Sequence, residues 1–365
     1  MKKTAEKSKV RLALRVCLIV LAALVVVVGA YVAYVFIAYH RIGDQTLTPD
    51  RPGTLPGAAA VQTHQPYTAV SYNVGFGAYE ADYGFFMDGG TQSWAWSRER
   101  LDANLKNIAA VLAQQQAEIW LLQEVDIGST RTYHVDERAY LQPAGKACVF
   151  AQNYDSPFLF YPLLQPHGRS RSGIMTLADF PITAAQRIEL PIESGLTKLL
   201  DLDRCYSKCR LPVEAGGELV LYNFHLSAYT SDGTIATEQL ILLLDDMERE
   251  CAAGRYCIAG GDFNKDLLGD SSEYFGRSDQ TYTWAQPIPP GTFDGRRVRL
   301  IAPLDTEHPV PSCRNADGPY HPGQFVVTPD GFLVSDTVQV LACTVVDTGF
   351  AYSDHNPVTL QFQLN

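Results

Sequence analysis

The hydrophobic pattern begins with a long apolar run near the N-terminus. Residues 16–38 read VCLIVLAALVVVVGAYVAYVFIA, 23 positions without Asp, Glu, Lys or Arg. A helix rises about 1.5 Å per residue, so this run can cross a hydrocarbon core of about 30 Å. It is longer than the roughly 7–15 apolar residues of a secretory signal peptide, and no clean small-x-small cleavage site ends it. The pattern therefore predicts a retained transmembrane helix, with a cleaved signal peptide as the alternative.

Basic residues predict the orientation of this helix. Seven of them lie within residues 1–41, and of these only Arg41 follows the apolar run. The positive-inside rule then places residues 1–15 in the cytoplasm and the large remainder of the chain outside. We expect a single-pass protein of the cell membrane whose domain is extracytoplasmic.

Beyond the anchor, the pattern predicts a linker and then one layered domain. Residues 39–66 are rich in Pro, Gly, Thr and Ala without an apolar period, which is typical of a linker. From Tyr67 onward, short apolar or alternating runs predict strands at residues 68–73, 119–124, 173–177, 219–225, 256–262, 331–334 and 358–362. Helical periodicity begins after Ser97 and again at residues 237–250. The mixed order predicts a single α/β (α+β) domain over residues 67–365, with the Pro/Gly-rich residues 267–324 as a surface insertion.

Charge is distributed unevenly along the sequence. The chain has 29 Lys+Arg and 40 Asp+Glu, a net charge of -11, and residues 42–365 alone hold 22 basic and 39 acidic residues, a net charge of -17. A nonspecific nucleic-acid binder needs a basic surface to neutralise phosphates, so the charge disfavours that class. A phosphate-processing enzyme that recruits a divalent cation is still compatible with an acidic domain.

Cysteine usage favours buried thiols over a disulfide framework. Cys17 lies in the apolar run and seven cysteines lie outside it, an odd number for so large a domain. The pairs Cys205/Cys209 and Cys251/Cys257 are close enough in sequence to form one or two bridges. No C-x2-C spacing occurs, which argues against a zinc site.

Several predicted strands end in residues that are costly to bury. They are Asn73 in AVSYN, Glu124 in IWLLQE, His225 in LVLYNFH, Asp262 and Asn264 in CIAGGDFN, and Asp354 with His355 in SDHNPV. Taken singly, such residues more often build turns and caps than perform chemistry. Together they deliver carboxylates, amides and imidazoles toward one sheet edge, a composition that suits a divalent cation beside a phosphate. Hard oxygen ligands favour Mg²⁺ or Mn²⁺.

In their order along the chain, these motifs resemble those of the metal-dependent endonuclease/exonuclease/phosphatase superfamily. That superfamily includes deoxyribonuclease-I-like nucleases, neutral sphingomyelinases and inositol-phosphate phosphatases. The matching motifs are SYNVG, LLQEVD, SRSGIMTLADFPI, YNFHLSAY, GGDFN, DGFLVS and SDHNPV, which span roughly residues 70–360. One motif departs from the family pattern, because Asp330 is followed by Gly331 before the aromatic Phe332. The resemblance implies a four-layer sandwich of two packed β-sheets flanked by helices.

The resemblance also implies roles for individual residues. Glu124 would be the principal Mg²⁺ (or Mn²⁺) ligand, with Asn73 and Asp354 beside the metal. His355, held by Asp330, would take a proton from the attacking water. The remaining catalytic residues would be Asp262 and Asn264, which orient water and phosphate, and His225, which donates to the phosphate or protonates the leaving group. In the alternative left open by the sequence, Asp262 is the base and His355 only binds phosphate.

These features favour a membrane-anchored, extracytoplasmic phosphoester hydrolase, a phosphodiesterase or phosphatase. Its expected substrate is a lipid headgroup or a small phosphorylated molecule, and we expect a monomer. A surface nuclease acting on extracellular DNA or RNA is the alternative, which the acidic charge disfavours. A binding module on a degenerate scaffold is a third reading, disfavoured because all the expected site residues are present.

An aromatic segment follows the first motif and also resembles membrane-anchored bacterial members of the superfamily. Residues 75–97 are rich in aromatic side chains that the motifs do not use, among them Tyr79, Tyr83, Phe85, Phe86, Trp94 and Trp96. The sequence predicts that this loop packs its own aromatics on the domain. The alternative is a wall of the substrate cleft or a surface that touches lipid.

Overall fold

A long N-terminal helix precedes two stacked β-sheets in the computed structural model, which describes residues 2–50, 59–193, 202–228, 232–276 and 282–365. Helix α1 (Lys2–Ala38) contains a stretch, Ser8–Ala38, that is long and apolar enough to cross a membrane. The most apolar part of this stretch is not buried against the rest of the protein. The predicted apolar run therefore forms one continuous helix whose most apolar part is exposed.

The other helices are α2 (Arg98–Gln114), α3 (Arg138–Leu141), α4 (Thr234–Ala252) and α5 (Ser272–Phe275). The strands, in chain order, are β1 (Gln45–Leu47), β2 (Tyr67–Asn73), β3 (Ile119–Asp126), β4 (Ala147–Asp155), β5 (Arg171–Ala178), β6 (Ala184–Glu189), β7 (Cys205–Pro212), β8 (Glu218–His225), β9 (Tyr256–Asp262), β10 (Val298–Ile301), β11 (Cys313–Arg314), β12 (Val326–Val327), β13 (Asp330–Ser335), β14 (Val338–Val345) and β15 (Val358–Leu364). Each predicted strand is present, extended by at most a few residues.

Two large sheets pack face to face. The first has the order β1-β6-β7-β8-β9-β13-β10 and the second the order β14-β15-β2-β3-β5-β4, while β11 and β12 form a separate two-stranded pair. Apolar residues of both sheets, such as Leu121 of β3 and Ile258 of β9, share the central core. Helix α2 covers the outer face of the second sheet through Ile108 and Leu112, and α4 covers the first. The predicted four-layer α+β architecture is confirmed.

Part of the predicted linker, residues 39–66, is built into the domain. Strand β1 pairs antiparallel with the edge strand β6. The guanidinium of Arg187, which is fully buried, donates to the carbonyl oxygens of Ile42 at 2.6 Å and Gly43 at 2.9 Å. A three-residue edge strand with mostly exposed side chains has no hydrophobic signature, so the pattern could not predict this pairing.

The description of residues 267–324 as a surface insertion is wrong in part. Strand β10 within it joins the edge of the first sheet against β13. Toward the C-terminal end of residues 267–324, Ser312 and Cys313 are buried beside His355 and Asp330. Strand β10 has only four residues, one of them Arg299, so it is too short a run to stand out among the surrounding turns.

The structure contains free thiols at all eight cysteine positions, and six of them are buried. Cys205 and Cys209 both lie within β7. Cys251 ends α4 and Cys257 lies near the start of β9. The expectation of mostly buried thiols is confirmed.

Candidate active site

Strand ends from both sheets converge on one cleft. Strands β8 and β9 are parallel, so their carboxyl ends meet and His225 lies opposite Asp262. Strand β13 runs antiparallel to β9, which places its first residue, Asp330, opposite Asp262 as well. Asn73, the last residue of β2, bridges the two sheets because its Nδ2 lies 3.2 Å from Asp262 Oδ2. The predicted residues are thus neighbours in space.

His355 and Asp330 form a buried pair. The Nδ1 of His355 lies 2.8 Å from Asp330 Oδ2, and the same oxygen accepts a hydrogen bond from Ser312 Oγ at 2.7 Å. Burial alone would lower the pKa of His355, but the Asp330 carboxylate outweighs it and raises this pKa well above its ordinary value. The second ring nitrogen, Nε2, faces the cleft, 3.5 Å from Cys313 Sγ.

Asp262 is the centre of the polar cluster. Its Oδ1 accepts a hydrogen bond from the backbone N–H of Asn264 at 2.8 Å. Its Oδ2 lies 3.5 Å from His225 Nε2 and 3.7 Å from His355 Nε2. Burial raises the pKa of Asp262 to about 7. A carboxylate with that pKa can take up a proton near neutral pH.

His225 and Asn264 frame the same carboxylate. Burial, assisted by Arg204, lowers the pKa of His225 well below its ordinary value, so the ring is neutral at physiological pH. Its Nδ1 is buried without a hydrogen-bond partner among the described residues. Asn264 has a positive φ of 47° and its Nδ2 donates to the carbonyl of Leu226 at 2.7 Å. A strained backbone and an unsatisfied polar atom are both typical of functional sites.

Glu124 reaches the cleft because β3 bulges. The register between β3 and β5 shifts between Leu122 and Val125, and Glu124 has a φ of 56°. The bulge turns Gln123 into the buried layer between the sheets, where its Nε2 donates to Asn223 Oδ1 at 2.8 Å. Glu124 is turned toward the cleft instead. Bulges that re-aim a side chain are common next to active sites.

The predicted metal ligands lie together. The Nδ2 of Asn73 is 3.2 Å from Glu124 Oε1, and the hydroxyl of Ser353, which donates to the carbonyl of Asn73, is 3.2 Å from Asp354 Oδ1. Burial raises the pKa of Glu124, and the negative charge of Asp354 raises it further. Burial likewise raises the pKa of Asp354. Half-buried carboxylates whose ionised forms are destabilised in this way suit a divalent cation with hard oxygen ligands.

A second arrangement of candidate ligands overlaps the first. Ligand atoms of Asp262, Asp330 and His355 all lie within 4.8 Å of one another. The contact between Asp330 and His355 is a hydrogen bond between Asp330 Oδ2 and His355 Nδ1, so Asp330 Oδ1 and His355 Nε2 are the atoms that could face a cation there. The described residues therefore offer two overlapping candidate positions for a cation, one at this cluster and one at Glu124, Asn73 and Asp354.

Three buried arginines line the cleft and were missed by sequence reasoning. Arg131 forms two hydrogen bonds to Asp126, at 2.9 and 2.8 Å, and lies 3.7 Å from the ring centroid of Phe76. Arg204 and Arg314 also line the cleft and are almost fully buried. The positive charges give the cleft of this acidic protein a local attraction for anions. Their burial depends on long-range partners, so no local pattern in the sequence marks them.

Two other arginines, Arg169 and Arg171 near the start of β5, are not among the described residues that line the cleft. Arg169 instead pairs with Asp155, with Nη2 at 2.7 Å from Oδ1. This outcome agrees with the ordinary behaviour of exposed loop arginines.

The aromatic segment both packs on itself and forms one wall of the cleft. Phe76, Tyr79, Tyr83 and Phe85 belong to one buried cluster with ring centroids 5.0–6.0 Å apart. Three of them, Phe76, Tyr79 and Phe85, also line the cleft opposite His225 and Asp262. The cavity volume is about 110 Å³. The predicted packing and its alternative, a cleft wall, are therefore both present in one segment.

Comparison with known proteins assigns most of the domain to one family. The sequence profile described as the Endonuclease/Exonuclease/phosphatase family matches residues 70–355. No curated protein sequence matches the chain.

Solved structures are similar in fold at low sequence identity. An endonuclease/exonuclease/phosphatase from Beutenbergia cavernae DSM 12333 superposes with a TM-score of 0.52 at 17% identity, covering 83% of this chain and 72% of that one. ANGEL2, described as a 2′,3′-cyclic phosphatase in complex with adenosine-2′,3′-vanadate, gives 0.55 at 17% identity, covering 82% and 96%. The human Nocturnin catalytic domain with bound sulfate gives 0.50 at 16% identity, covering 82% and 95%. At these identities the likeness shows the fold.

Proposed function

Because this chain belongs to the endonuclease/exonuclease/phosphatase family, whose members hydrolyse phosphoesters, we propose that it is a membrane-anchored, metal-dependent phosphoester hydrolase. The proposed cofactor is Mg²⁺ or Mn²⁺, and the proposed substrate is a lipid headgroup or a small phosphorylated molecule. The observation that carries the proposal is the buried contact of Asp262 with the His355–Asp330 pair, in a cleft that also contains Glu124.

In this proposal Asp262 accepts the proton of the attacking water. Its carboxylate is fixed by the N–H of Asn264 and by the amide of Asn73, which leaves Oδ2 facing two imidazoles. His355, whose Nδ1 is held by Asp330, presents Nε2–H to a phosphate oxygen. A hydrogen bond aimed at charge that develops in the transition state contributes about 2.7–4 kcal/mol. This assignment corresponds to the alternative in which the aspartate is the base.

His225 has a different role in the proposal. Its neutral ring lies on the other side of Asp262 Oδ2, at 3.5 Å, and offers an N–H to a substrate oxygen. Asn264 lines the same part of the cleft and is held by the carbonyl of Leu226. Asn264 therefore positions the phosphate, and His225 donates its N–H to the leaving oxygen while the ring stays neutral.

Glu124, Asn73 and Asp354 would hold the metal. A bound divalent cation supplies positive charge to the phosphate and to the leaving oxygen. The side chains themselves provide hard oxygen donors in a cleft that desolvates their carboxyl groups.

The charge of the domain and the size of the cleft support a compact substrate. Residues 42–365 carry a net charge of -17, which repels a long polyanion such as DNA. The cleft has a cavity volume of about 110 Å³, which accommodates a phosphate group. Helix α1, as a proposed membrane anchor with the domain outside the cytoplasm, would keep that cleft close to lipid headgroups.

The test is hydrolysis by the full chain reconstituted in lipid nanodiscs. Bis(p-nitrophenyl) phosphate, a phospholipid, a phosphorylated sugar and duplex DNA are each incubated with Mg²⁺ or with EDTA. We expect turnover of the generic diester and of at least one small or lipid phosphoester, abolished by EDTA. The proposal fails if no substrate is cleaved, or if cleavage is indifferent to EDTA, and preference for DNA would replace the substrate class by the nuclease alternative.

A matched pair of variants shows whether the cleft is responsible. His355→Gln removes the buried imidazole, and we expect activity to fall by at least about 10²-fold. His308→Gln removes an exposed imidazole outside the cleft and serves as the control, with activity unchanged. Equal activity of the two variants would mean that hydrolysis occurs elsewhere or through a contaminant.

A further inference from the structure

The loop between β4 and β5, residues 156–170, carries the densest group of exposed apolar side chains in the described part of the domain. Its members, with their exposed fractions, are Phe158 (37%), Phe160 (53%), Tyr161 (66%), Leu163 (74%) and Leu164 (102%). Residues 156–167 contain no Asp, Glu, Lys or Arg. Scattered exposed hydrophobic residues are normal on soluble proteins, but a contiguous patch marks an interaction surface.

The loop is held in a fixed shape. Leu159 and Gly168 exchange two backbone hydrogen bonds, of 3.0 and 3.1 Å, across its base. The aromatic segment holds its far side, because Trp94 Nε1 donates to the carbonyl of Pro166 at 2.7 Å. Ser93 Oγ donates to the carbonyl of Gln165, also at 2.7 Å. These bonds leave the leucines at its tip exposed.

The same loop contacts the outer end of α1. The hydroxyl of Tyr31 donates to the carbonyl of Phe158 at 3.2 Å and accepts the backbone N–H of Phe160 at 2.8 Å. The hydroxyl of Tyr34 accepts the N–H of Phe158 at 3.1 Å. Tyr31 precedes the last residue of the helix, Ala38, by seven positions, which is about 10 Å along the axis. The loop therefore lies beside the helix at a level within its apolar span.

We propose that residues 158–164 enter the outer lipid leaflet beside α1. The inference rests on the proposed anchoring of α1, since a loop fixed at the level of Tyr31 shares the depth of that residue in the bilayer. Phe, Tyr and Leu without charged neighbours are the side chains that bury favourably at a membrane interface. The occupant of this surface is therefore lipid, and the loop with α1 forms a two-point attachment.

This attachment sets the position of the cleft. Tyr154, which precedes the loop in sequence, and His167, which lies within it, both line the cleft. His167 follows Leu164 by three residues, so their Cα atoms are at most about 11 Å apart. With the tip in the leaflet, the cleft opens at the level of the headgroups. The substrate class that fits this placement is a phosphoester carried by a membrane lipid.

The first experiment measures the environment of the loop directly. Leu164→Cys is introduced into a Cys17→Ala, Cys343→Ser background, labelled with the fluorophore NBD and reconstituted as the full chain in vesicles of phosphatidylcholine and phosphatidylglycerol. We expect blue-shifted emission that is quenched by lipids carrying a spin label near the headgroup. Leu341→Cys, an exposed leucine on β14 at the opposite edge of its sheet, is the matched control and should report water.

Two results would overturn the proposal. Emission at position 164 that equals emission at position 341 would place the loop in water. A blue shift without quenching by spin-labelled lipid would mean that protein, such as a second copy of the chain, covers the loop. Neither result depends on whether the protein is an enzyme.

The second experiment connects the loop to the substrate. Leu163→Ser with Leu164→Ser should reduce hydrolysis of a phospholipid in vesicles by about tenfold, while hydrolysis of soluble bis(p-nitrophenyl) phosphate changes less than about twofold. Leu341→Ser should change neither rate. Equal loss on both substrates would contradict the proposed presentation of lipid, as would an unchanged rate on the phospholipid. If the unmodified protein cleaves neither substrate, the proposed hydrolase function fails, and the fluorescence result still decides the position of the loop.

Discussion

The side chains of His355 and Asp330 meet at 2.8 Å, although β13 and the turn before β15 bring them from different sheets. Asp330 is the first residue of β13 in the first sheet, and His355 lies just before β15 in the second. The pair therefore closes the gap between the two sheets at the cleft. Any change that separates the sheets at this end also separates the pair.

Asp330→Asn tests the importance of this contact. The amide removes the charge that holds the imidazole, and it can present an N–H where an acceptor is needed. We expect kcat on bis(p-nitrophenyl) phosphate to fall by about 10²–10⁴-fold with little change in melting temperature. Asp336→Asn, at an exposed aspartate that follows the last residue of β13, should keep full activity. If Asp330→Asn retains activity, the imidazole does not need its partner and the assignment is wrong.

The sequence predicted the strand-end residues well because parallel strands deliver their carboxyl ends to one edge. Asp262 and His225 were placed by that rule, and the resemblance added Asp330 despite the glycine that follows it. The cleft arginines could not be predicted in the same way. Arg314 is buried because its guanidinium donates to carbonyl oxygens of Glu80 and Tyr83, which are more than 200 residues away in the chain. Contacts of this kind leave no local pattern.

If the neutral imidazole of His225 donates to the leaving oxygen, the rate lost on its removal should depend on the leaving group. A hydrogen bond to the departing oxygen matters most when that oxygen becomes a strongly basic alkoxide, and least when it becomes nitrophenolate. His225→Gln should therefore reduce hydrolysis of an alkyl phosphodiester at least about tenfold more than hydrolysis of bis(p-nitrophenyl) phosphate. Steady-state kinetics on the two substrates give this ratio.

Asp262→Asn supplies the comparison for that experiment. Loss of the proposed base should lower the rates on both substrates by similar factors, because the attacking water is the same. For each variant, the loss of rate on the alkyl phosphodiester is divided by the loss of rate on bis(p-nitrophenyl) phosphate. If this ratio is the same for His225→Gln and Asp262→Asn, His225 contacts a non-bridging phosphate oxygen.

Metal binding should be visible without any substrate. Glu124 and Asp354 are half-buried in the cleft, and desolvation raises the pKa of both carboxyl groups. A cation that binds only the folded protein stabilises it, by about 2.7 kcal/mol at a concentration of 100 times Kd. We expect Mg²⁺ to raise the melting temperature of the full chain in nanodiscs, and Glu124→Gln to shift the midpoint of this effect to at least about tenfold higher Mg²⁺. Glu307→Gln, at an exposed position, is the control. No thermal shift with Mg²⁺ or Mn²⁺ would contradict the metal site.

The close approach of β8 and β9 requires a glycine at position 261. A Cβ at this position would lie 2.1 Å from the carbonyl oxygen of Phe224 and 2.9 Å from its carbonyl carbon. Backbone atoms cannot move aside cheaply, so Gly261→Ala should destabilise the domain by about 2 kcal/mol or more and separate His225 from Asp262. Gly318→Ala, where a Cβ meets open space, should melt like the unmodified protein. Urea denaturation of both variants measures the difference, and equal midpoints would mean that the strands adjust freely.

Glu250 lies away from the cleft, and we expect its ionisation to make the stability of the fold depend on pH. Burial would raise the pKa of this carboxyl, but hydrogen bonds from Arg210 and Lys208 outweigh burial and lower it to about 2. The folded pKa lies below the unfolded value of about 4.3, so the ionised carboxylate stabilises the fold above that pH, and this contribution is lost as the pH falls toward 2.

Glu250→Gln should therefore lower the melting temperature by about 2–4 °C at pH 7, equivalent to about 1 kcal/mol in a domain of this size. The difference from the unmodified protein should shrink as the pH falls from about 4.3 toward about 2, because over that range the unfolded chain takes up a proton that the folded carboxylate still excludes. Glu214→Gln, at an exposed glutamate, corrects for the change in net charge. A difference that is constant with pH would mean that Glu250 stabilises the fold by packing, and that its ionisation contributes nothing.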